Sequence, residues 1–325
     1  MQPPTCINHH TIHPPPSPPW LPPTPPSILL LSTLGLIILI KHFTIFLNWV
    51  FVTFLRPPKN LLHSYGAWAL ITGATDGIGK AFAHQLAHQG LNLILVSRNR
   101  NKLETVSSEL QSEFQNIKIK TVEFDFSTAN GAGLIEEAVD GLEVGVLINN
   151  VGITYPSAMF FDEVDEKIWM DIVRVNLEGT TRVTKAVLKG MLWRKKGAIV
   201  NIGSGAAIVV PSHPLYAIYA ATKAYVDQLS RSLFVEYKRC GIDVQCQVPL
   251  YVATKMASKV ASIERRSLFI PSPEDYAVAA IRRIGYKPRC TPYWTHSLQW
   301  CFADMLPEAV LDAWRLSIGM NRRIN

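Results

Sequence analysis

The sequence predicts an α/β protein with a doubly wound parallel sheet, preceded by a membrane anchor, and three observations lead to this fold class. From Ala67 onward, apolar runs of five to eight residues alternate with helical patterns. The first run leads into a glycine-rich turn, TGATDGIG, from Thr72 to Gly79. Ahead of both, residues 27–55 are almost wholly apolar. With 325 residues, 48% of them apolar, the chain can bury a large core.

The N-terminal tail has a composition of its own. Residues 1–40 contain no Lys, Arg, Asp or Glu, and half of the chain's 22 prolines lie before Ser27. Such a segment has no pattern that could pack a core. We therefore predict that residues 1–26 are disordered or polyproline-like.

The apolar segment 27–56 is predicted to be a membrane anchor. Its uncharged part, Ser27 to Ile40, has 14 residues, fewer than the roughly 20 that a helix needs to cross the hydrocarbon core. Either one tilted span continues through Lys41, or two shorter segments form a re-entrant anchor, and we favour the single span. A cleaved signal peptide is the competing interpretation, but the start of the chain carries no basic residue.

The charged residues indicate where the main domain lies. The formal net charge is +7, and basic residues flank the apolar segment only on its C-terminal side, at Arg56 and Lys59. The positive-inside rule then predicts a cytosolic domain over 59–325. The basic surplus comes with no nucleic-acid recognition motif, so anionic lipid or a phosphorylated substrate explains it better. The five cysteines include no C-x-x-C pair, and neither disulfides nor a metal site are indicated.

The glycine-rich turn follows a predicted strand, Ala67 to Ile71, and opens a helical pattern. Gly73 permits a tight turn, Gly77 lets the backbone approach a pyrophosphate, and Gly79 lets the helix lie close to the strand. The helix N-terminus offers free N–H groups and a positive dipole end to the anion. Taken alone, an ordinary strand-to-helix turn would be the better interpretation. The residues expected at the pyrophosphate are Gly73, Thr75, Asp76, Gly77, Ile78 and Gly79.

The second strand, Leu91 to Val96, is followed by Ser97 and Arg98 and by a helix predicted from Asn101 to Phe114. The residue after this strand usually contacts the cofactor ribose: a carboxylate bonds the 2′-hydroxyl of NAD, whereas an arginine accepts the 2′-phosphate of NADP. Because Arg98 stands there with no Asp or Glu beside it, the sequence favours NADPH. A solvated surface charge is the alternative for Arg98.

Two further strands end in polar residues. Ile117 to Phe124 runs into Asp125, and Val144 to Ile148 runs into Asn149-Asn150-Val151-Gly152, with a helical stretch at about 131–139 between them. Strands and helices that alternate at this interval indicate a Rossmann-type parallel sheet, in which ligands bind beyond the carboxyl ends of the strands.

The next two elements bring more polar residues to that edge. A long helical region, Asp165 to Lys195, contains Asn176, and a strand from Ala198 to Ile202 leads into Ser204. A polar residue at the carboxyl end of a strand is a site candidate. For Asn176, a helix-bending or capping amide is the alternative interpretation.

A helix is predicted from Tyr219 to about Arg239, and in it Tyr219 and Lys223 are four residues apart and share one face. An amphipathic surface pair is the plain alternative. Tyr216 competes with Tyr219 as an acid, but it lies seven residues before Lys223, about 10 Å along a helix. We therefore expect Tyr216 to line the substrate loop.

In this order, over residues 67 to about 256, the motifs resemble the short-chain dehydrogenase/reductase family. The segments TGATDGIGK, NNVG and QVPLYVATKM are most similar to those of a membrane-bound branch of the family. This branch comprises the very-long-chain 3-oxoacyl-CoA reductases and their 17β-hydroxysteroid dehydrogenase relatives. Val151 and Leu250 depart from the wider family but not from this branch. The resemblance implies a catalytic set of Asn176, Ser204, Tyr219 and Lys223. It implies cofactor contacts at the glycine turn and at Ser97, Arg98, Asp125, Asn150, Gly152, Tyr219, Lys223, Val252 and Thr254.

The implied chemistry is reduction of a ketone, whose oxygen must be protonated as the hydride arrives. Tyr219 would donate the proton, and the charge of Lys223 is expected to lower the phenol pKa from roughly 10. Ser204 would hydrogen-bond the carbonyl oxygen. By resemblance, Lys223 would also hold the nicotinamide ribose, and Asn176 would hold a water for proton resupply.

The sequence of the C-terminal region 257–325 contains no recognisable motif and allows two interpretations. Its plain interpretation is a solvated basic face followed by core aromatics. The sharper one is a lid at the membrane surface, with arginines for coenzyme A phosphates and tryptophans at the interface. The residues concerned are Arg265, Arg266, Arg282, Arg283, Lys287, Arg289, Trp294, Trp300, Phe302 and Trp314.

The branch resemblance implies NADPH-dependent reduction of the 3-keto group of a long- or very-long-chain 3-oxoacyl-CoA in fatty-acid elongation. It also implies the endoplasmic reticulum membrane as the location. The expected partners are an acyl-CoA substrate, the membrane and other elongation enzymes, and no nucleic acid. A 17-keto steroid oxidoreductase would need the same Ser204, Tyr219 and Lys223 chemistry. A non-catalytic, cofactor-binding scaffold of the elongation complex is the third interpretation.

Overall fold

The structure is a computed structural model that describes residues 25–128, 132–263 and 265–324. The chain divides into two compact units, Met1–Arg56 and Pro57–Asn325. The tail 1–26 that the sequence predicts to be disordered lies outside the described residues, apart from its last two prolines.

The first unit contains one long apolar helix. Helix α1 spans Pro26–Val50, and a π-helical turn, Phe51–Leu55, continues it. By length and composition this is a candidate membrane span, with 30 residues, a mean hydropathy of 2.1 and no buried position in its most apolar part. The helix passes Lys41 without a break, as the single-span interpretation requires. At a rise of about 1.5 Å per residue it is longer than the roughly 30 Å hydrocarbon core.

The second unit is built on seven parallel strands in the order β3-β2-β1-β4-β5-β6-β7. Strand order reverses between β1 and β4, which makes this pair the topological switch point of a doubly wound sheet. The predicted fold class is thereby confirmed. The strands are β1 Trp68–Thr72, β2 Asn92–Ser97, β3 Ile119–Glu123, β4 Val144–Asn149, β5 Gly197–Ile202, β6 Ile242–Gln247 and β7 Arg289–Cys290.

Helices cover both faces of the sheet. They are α2 Leu61–Tyr65, α3 Gly77–His88, α4 Arg100–Glu113, α5 Ala132–Val139, α6 Glu166–Val173, α7 Thr180–Arg194, α8 Gly205–Ile208, α9 Ala217–Tyr237, α10 Lys255–Ala261, α11 Pro273–Ile281, α12 Trp294–Asp304 and α13 Glu308–Ile324. Short 3₁₀ turns lie at Phe161–Glu163 and Lys238–Cys240. A π-helical turn, Arg174–Gly179, joins α6 to α7, so the long helical region predicted from Asp165 to Lys195 is continuous but changes its helix type in the middle.

Alternating residues of the buried strands supply two cores. In β1, Ala69 and Ile71 join the cluster beneath α3, α4 and α11, whereas Leu70 joins the cluster beneath α5 and α7. Successive side chains of a strand point to opposite faces, so a strand that is covered on both sides is apolar throughout. This arrangement explains why β1 was predictable from an apolar run.

Strand β6 was not predicted, because its sequence IDVQCQ lacks the continuous apolar run from which most of the other strands were predicted. All six of its residues are buried. Asp243 accepts a hydrogen bond from the Tyr65 phenol at 2.6 Å. The amides of Gln245 and Gln247 donate to backbone carbonyls in and just beyond α11 at 2.7–3.0 Å. These partners come from distant parts of the chain, and only they make burial of the polar side chains tolerable.

The plain interpretation of the C-terminal region is wrong for three of its residues. Phe302 and Trp314, expected in a core, are 67% and 54% exposed, whereas Arg283, expected in solvent, is 7% exposed. The cause in α13 is its helical phase. Leu311, Arg315 and Gly319 follow at four-residue intervals on the inner face, which turns Trp314 outward.

Candidate active site

The glycine-rich turn joins β1 to α3 and needs its glycines for conformation and for space. Gly73 and Gly77 have positive φ values of 65° and 51°, in the region that L-residues with a side chain rarely adopt. A Cβ on Gly79 would lie 2.2 Å from the carbonyl oxygen of Gly73. The first turn of α3 therefore lies directly against the strand end, with N–H groups that have no partner inside the helix.

Side chains around this turn hold its shape. Asp76 caps α3 by accepting a hydrogen bond from the Gly77 amide at 2.8 Å, and it pairs with Lys255 at 2.7 Å. Burial raises the pKa of Asp76, but the hydrogen bond and charge of Lys255 outweigh it and leave this pKa below its ordinary value. The hydroxyls of Thr75 and Ser97 are 3.0 Å apart, which joins the turn to the end of β2.

Two more predicted cofactor residues pack against the turn. The Asn150 amide donates to the carbonyl oxygens of Thr72 at 3.1 Å and Gly73 at 3.2 Å. Thr254 caps α10 by accepting from the Ala257 amide at 3.2 Å, and its methyl group lies 3.1 Å from where a Cβ on Gly77 would stand. Asn150 thus supports the turn from the β4 side, and Thr254 borders it on the α10 side. Ile78 is half-buried and packs against the core cluster.

Arg98 follows β2 and is exposed. It lies close enough to Asp125, beyond the end of β3, to act on that carboxylate. Asp125 accepts from the amide of Ser127 at 2.9 Å and from its hydroxyl at 2.8 Å. Burial raises the pKa of Asp125, but the Ser127 hydrogen bonds and the charge of Arg98 leave it below its ordinary value.

Ser204 and Tyr219 meet at the carboxyl end of β5. Ser204 caps the short helix α8 by accepting from the Ala206 amide at 3.2 Å, and its hydroxyl lies close enough to the Tyr219 phenol to lower the pKa of that group. Helix α9 begins at Ala217, two residues before the predicted start, so Tyr219 lies in its first turn.

Lys223 lies one turn further along α9 and is 6% exposed. Its ammonium donates to the Ile202 carbonyl oxygen at 2.8 Å and stands 6.0 Å from the centroid of the Tyr219 ring. Desolvation lowers the pKa of Lys223 to about 8. A Cβ on Gly152 would lie 3.4 Å from both the Lys223 Nζ and the Asn176 Oδ1, so these three residues adjoin one another.

Asn176 lies in the π-helical turn and is almost fully buried. Its Oδ1 accepts from the Ile153 amide at 2.8 Å, and its Nδ2 donates to the Ile153 carbonyl at 2.9 Å and to the Thr222 hydroxyl at 3.1 Å. These bonds hold the π-helical turn against the segment at Ile153 and against α9; the predicted role of Asn176 in proton resupply stays a prediction. π-Helical turns occur frequently at functional sites.

The expected lowering of the Tyr219 pKa by Lys223 is wrong for this structure. Burial raises the pKa of Tyr219 above its ordinary value, the Ser204 hydrogen bond lowers it in part, and the phenol of Tyr251 raises it further. The same burial lowers the pKa of Lys223, because desolvation disfavours the charged form of either group.

Two predicted contacts are buried. The Tyr216 ring is 2% exposed, stacks on Tyr155 at 5.6 Å between centroids and lies 5.4 Å from the His213 ring. Its place in the lining of the substrate loop stays a prediction. Val252 is 3% exposed and belongs to the core cluster on the α3 side. Its side chain is thus committed to packing, which leaves only its backbone for a ligand.

Four polar residues near the site were not predicted: His213, Tyr251, Arg315 and Arg322. Arg322 donates to the Tyr251 phenol at 2.9 Å, and Arg315 lies 2.9 Å from both ring nitrogens of His213. The sequence offers only weak signals for them. Tyr251 lies inside the QVPLYVATKM segment, but α13 follows it by more than fifty residues.

The residues fit a dinucleotide with a pyrophosphate and a nicotinamide. The glycine turn has no room for side chains where the backbone must approach a phosphate. The phosphate and adenosine part of the nucleotide would be held by Thr254, Ser97 and Arg98. The nicotinamide part would adjoin Gly152, Tyr219 and Lys223.

Comparison with known proteins gives a consistent result. A family model described as short chain dehydrogenase matches residues 67–265. A very-long-chain 3-oxoacyl-CoA reductase-like protein of Arabidopsis thaliana is 65% identical over 277 residues, which cover 85% of this chain and 88% of that protein. A human protein named inactive hydroxysteroid dehydrogenase-like protein 1 is 42% identical, covering 79% and 78% of the two chains.

Among solved structures, a short-chain dehydrogenase from Sphingobium yanoikuyae in complex with NADPH is similar to this chain. It has a TM-score of 0.60 and 28% sequence identity, and the match covers 66% of this chain and 83% of that one.

Replacing Gly79 by Ala should weaken binding of the dinucleotide. The new Cβ would meet the backbone oxygen of Gly73 at 2.2 Å, and relief of that contact must shift the phosphate-binding turn at a cost of about 1–3 kcal/mol. We expect a dissociation constant for NADPH raised about tenfold or more, measured by nucleotide fluorescence. Gly133→Ala is the matched control, because a Cβ there meets nothing within 4 Å. Unchanged binding in Gly79→Ala would show that the turn does not contact the nucleotide.

Proposed function

The chain belongs to the short-chain dehydrogenase family of oxidoreductases, and we propose that it reduces the 3-keto group of long- and very-long-chain 3-oxoacyl-CoA with NADPH. The observation that carries this proposal is the contact between Ser204 and Tyr219, with Lys223 beside them, at the carboxyl end of β5. The 65% identity to a plant protein named as a reductase-like member of this kind supports the substrate class.

NADPH supplies the hydride when bound, and the protein has to orient the ketone and protonate its oxygen. Ser204 would donate a hydrogen bond to that oxygen as it becomes negative. Tyr219 would give it a proton. The raised pKa of Tyr219 keeps the phenol protonated near neutral pH, which is the form that a proton donor needs.

Lys223 would return a proton to Tyr219 after each turnover. Its pKa of about 8 means that its ammonium can lose and regain a proton near neutral pH. Asn176 holds the π-helical turn beside this ammonium through its bonds to Ile153 and Thr222. We propose that this arrangement leaves room for a water between Lys223 and solvent, in line with the role that the family resemblance implies.

Arg98 supports NADPH over NADH. It is exposed at the end of β2, and the Thr75–Ser97 contact beside it ties this strand end to the glycine turn. A guanidinium is well suited to a phosphate because it can donate two parallel hydrogen bonds. Asp125, on which the charge of Arg98 acts, is already bonded twice by Ser127.

We propose that the protein is anchored in the endoplasmic reticulum membrane with Pro57–Asn325 in the cytosol. Helix α1 and its extension are long enough to span, and the basic residues Arg56 and Lys59 follow the span. The C-terminal region supports a membrane partner, since it exposes a group of large apolar side chains. These are Phe302, Met305, Leu306, Val310, Trp314 and Leu316.

Fatty-acid elongation, with other elongation enzymes as partners, is the process we propose for this reaction. Two other functions have specific support. A 17-keto steroid could use the same Ser204, Tyr219 and Lys223 chemistry. A non-catalytic scaffold is supported by the 42% identity to a human relative named inactive. The assembled contact of Ser204, Tyr219 and Lys223 favours catalysis over the scaffold.

Purified protein with NADPH should turn over 3-oxoacyl-CoAs, and Tyr219→Phe should lose most of this activity. A positioned general acid contributes about 10²- to 10⁴-fold, so we expect a fall in kcat of that order, followed by NADPH absorbance. Tyr225→Phe is the control, because Tyr225 lies on the same helix but bonds Thr181 at 2.8 Å. Turnover of only a 17-keto steroid would support the second function, and NADPH binding without any turnover would support the scaffold.

Replacing Arg98 by Asp should weaken NADPH selectively. The change removes a partner of the 2′-phosphate and adds a like charge, which we expect to cost NADPH about 10- to 100-fold in affinity and NADH much less. Arg100→Asp makes the same charge change two residues away, at a guanidinium that already pairs with Glu104 at 2.9 Å. Equal losses for both nucleotides would mean that Arg98 does not contact the phosphate.

Protease added to intact microsomes should digest the domain Pro57–Asn325, because the charge flanking α1 favours a cytosolic domain. Immunoblotting against the C-terminal region measures the digestion, and a lumenal marker protein serves as the protected control. Survival of the domain until detergent opens the vesicles would contradict this orientation.

A further inference from the structure

Helix α13 brings two arginines to the loops that border the catalytic residues. Arg322 donates to the Tyr251 phenol at 2.9 Å, and its guanidinium carbon lies 5.5 Å from the centre of that ring. Arg315 lies 2.9 Å from both ring nitrogens of His213. The helix packs closely here, since a Cβ on Gly319 would meet the Leu215 side chain at 2.7 Å.

The guanidiniums of Arg315 and Arg322 have no carboxylate partner in the part of the chain that the structure describes. Within 25–128, 132–263 and 265–324, no carboxylate forms an ion pair with Arg315 or Arg322. Arg315 is 7% exposed, and its Nε is buried without a hydrogen-bond partner. His213 is no counter-ion, because desolvation and the two arginines lower its pKa to about 3 and keep it neutral. Buried cations are normally paired, so a positive cluster without an anion indicates a missing acceptor.

The cluster adjoins the catalytic residues through the loop that carries Tyr251. The Gly205 amide, next to Ser204, donates to the Pro249 carbonyl at 2.9 Å. A Cβ on Gly205 would lie 3.2 Å from Leu250. The Tyr251 phenol is also near enough to raise the pKa of Tyr219. The Tyr251 phenol, hydrogen-bonded to Arg322, therefore lies near the Tyr219 phenol.

We propose that Arg322 and Tyr251 form a second carbonyl-binding subsite, which receives the thioester oxygen of a 3-oxoacyl substrate. This inference rests on the proposed function. A 3-oxoacyl thioester carries two acceptor oxygens, separated by one methylene group. Ser204 and Tyr219 would bind the ketone oxygen, and the second oxygen needs its own donors close by. A guanidinium has five N–H donors, so the bond to Tyr251 leaves donors for a substrate oxygen.

Arg315 has a separate part in this subsite. Its contact with His213 fixes the inner face of α13 over the loop that precedes α9. Its charge adds to that of Arg322 at the Tyr251 phenol, and although burial raises the pKa of Tyr251, the two arginines leave it below its ordinary value. A more acidic phenol is a stronger hydrogen-bond donor to a carbonyl oxygen. Arg315 is therefore a positioning residue, and Arg322 with Tyr251 makes the contact.

The subsite would determine substrate class. A simple ketone, including a 17-keto steroid, has no second oxygen at this position and gains nothing from Arg322. A hydrogen bond to a charged group changes affinity by about 10- to 100-fold, which sets the expected preference for the thioester.

A pair of ligands that differ in one oxygen tests the proposal. One is a long-chain 3-hydroxyacyl-CoA thioester, and the other is the matching thioether, with CH₂ in place of the thioester carbonyl. Full-length protein in lipid nanodiscs with bound NADP⁺ should bind the thioester about 10- to 100-fold more tightly, measured by calorimetry. Arg322→Met should bind both ligands equally. Arg323→Met should keep the wild-type preference, because Arg323 pairs with Glu163 and holds the same helix without touching Tyr251.

Three results would overturn the subsite: equal binding of the two ligands to the wild type, a preference that survives in Arg322→Met, or a preference lost equally in Arg323→Met. The last would show that docking of α13 is what matters. NADPH-dependent turnover of 3-oxoacyl-CoA by the wild type tests the proposed function separately. Turnover without a thioester preference refutes the subsite alone, and binding of neither ligand refutes both.

Discussion

The site depends on the junction of β1 and β4, the neighbouring strands at which the order of the sheet reverses. The Thr72 hydroxyl accepts hydrogen bonds from the amides of Asn150 and Val151, each at 3.0 Å. The Asn150 side chain returns two bonds to the end of β1 and its turn. The glycine turn and the strand that leads to Gly152 are thereby fixed to each other. Because the phosphate side and the hydride side of the site lie on these two strands, one polar junction aligns both halves of a bound nucleotide.

Burial, more than the pairing of charges, controls the acid–base properties of the site. A tyrosine and a lysine on one helix face invite the argument that the cation acidifies the phenol. In the folded protein desolvation acts on both, raising the pKa of Tyr219 and lowering that of Lys223. The two pKa values therefore move apart, and the phenol becomes the weaker acid of the pair. The phenol stays protonated near neutral pH, and after it has given up its proton the Lys223 ammonium, as the stronger acid, would return one to it.

Buried polar side chains define the C-terminal third of the domain. Gln245 and Gln247 fix β6 to the α11 region through backbone carbonyls. Arg315 and Arg322 meet His213 and Tyr251 instead of carboxylates. The glutamine amides are structural, because their N–H groups find backbone acceptors, although the Gln247 Oε1 has no partner. The arginine cluster differs in its charge: its guanidiniums contact a neutral imidazole and a phenol, which makes it the better candidate for a ligand-binding feature.

The sequence by itself determined the parallel α/β fold, the glycine turn and the order of the motifs. Each of these depends on residues that are near one another in the chain: apolar runs, helical spacing and glycines at fixed positions. It also predicted that Ser204 follows the carboxyl end of a strand and that Tyr219 and Lys223 share one helix face, and both features are present in the structure. Tertiary structure alone decided the rest. The burial of β6 depends on partners that its glutamines find 33 and 38 residues away. Tyr216 is buried by its stacking on Tyr155, and the direction of the Tyr219 pKa shift follows from desolvation. Arg322 reaches Tyr251 across 71 residues of sequence, a contact set by the docking of α13, and no local pattern of residues encodes such a contact.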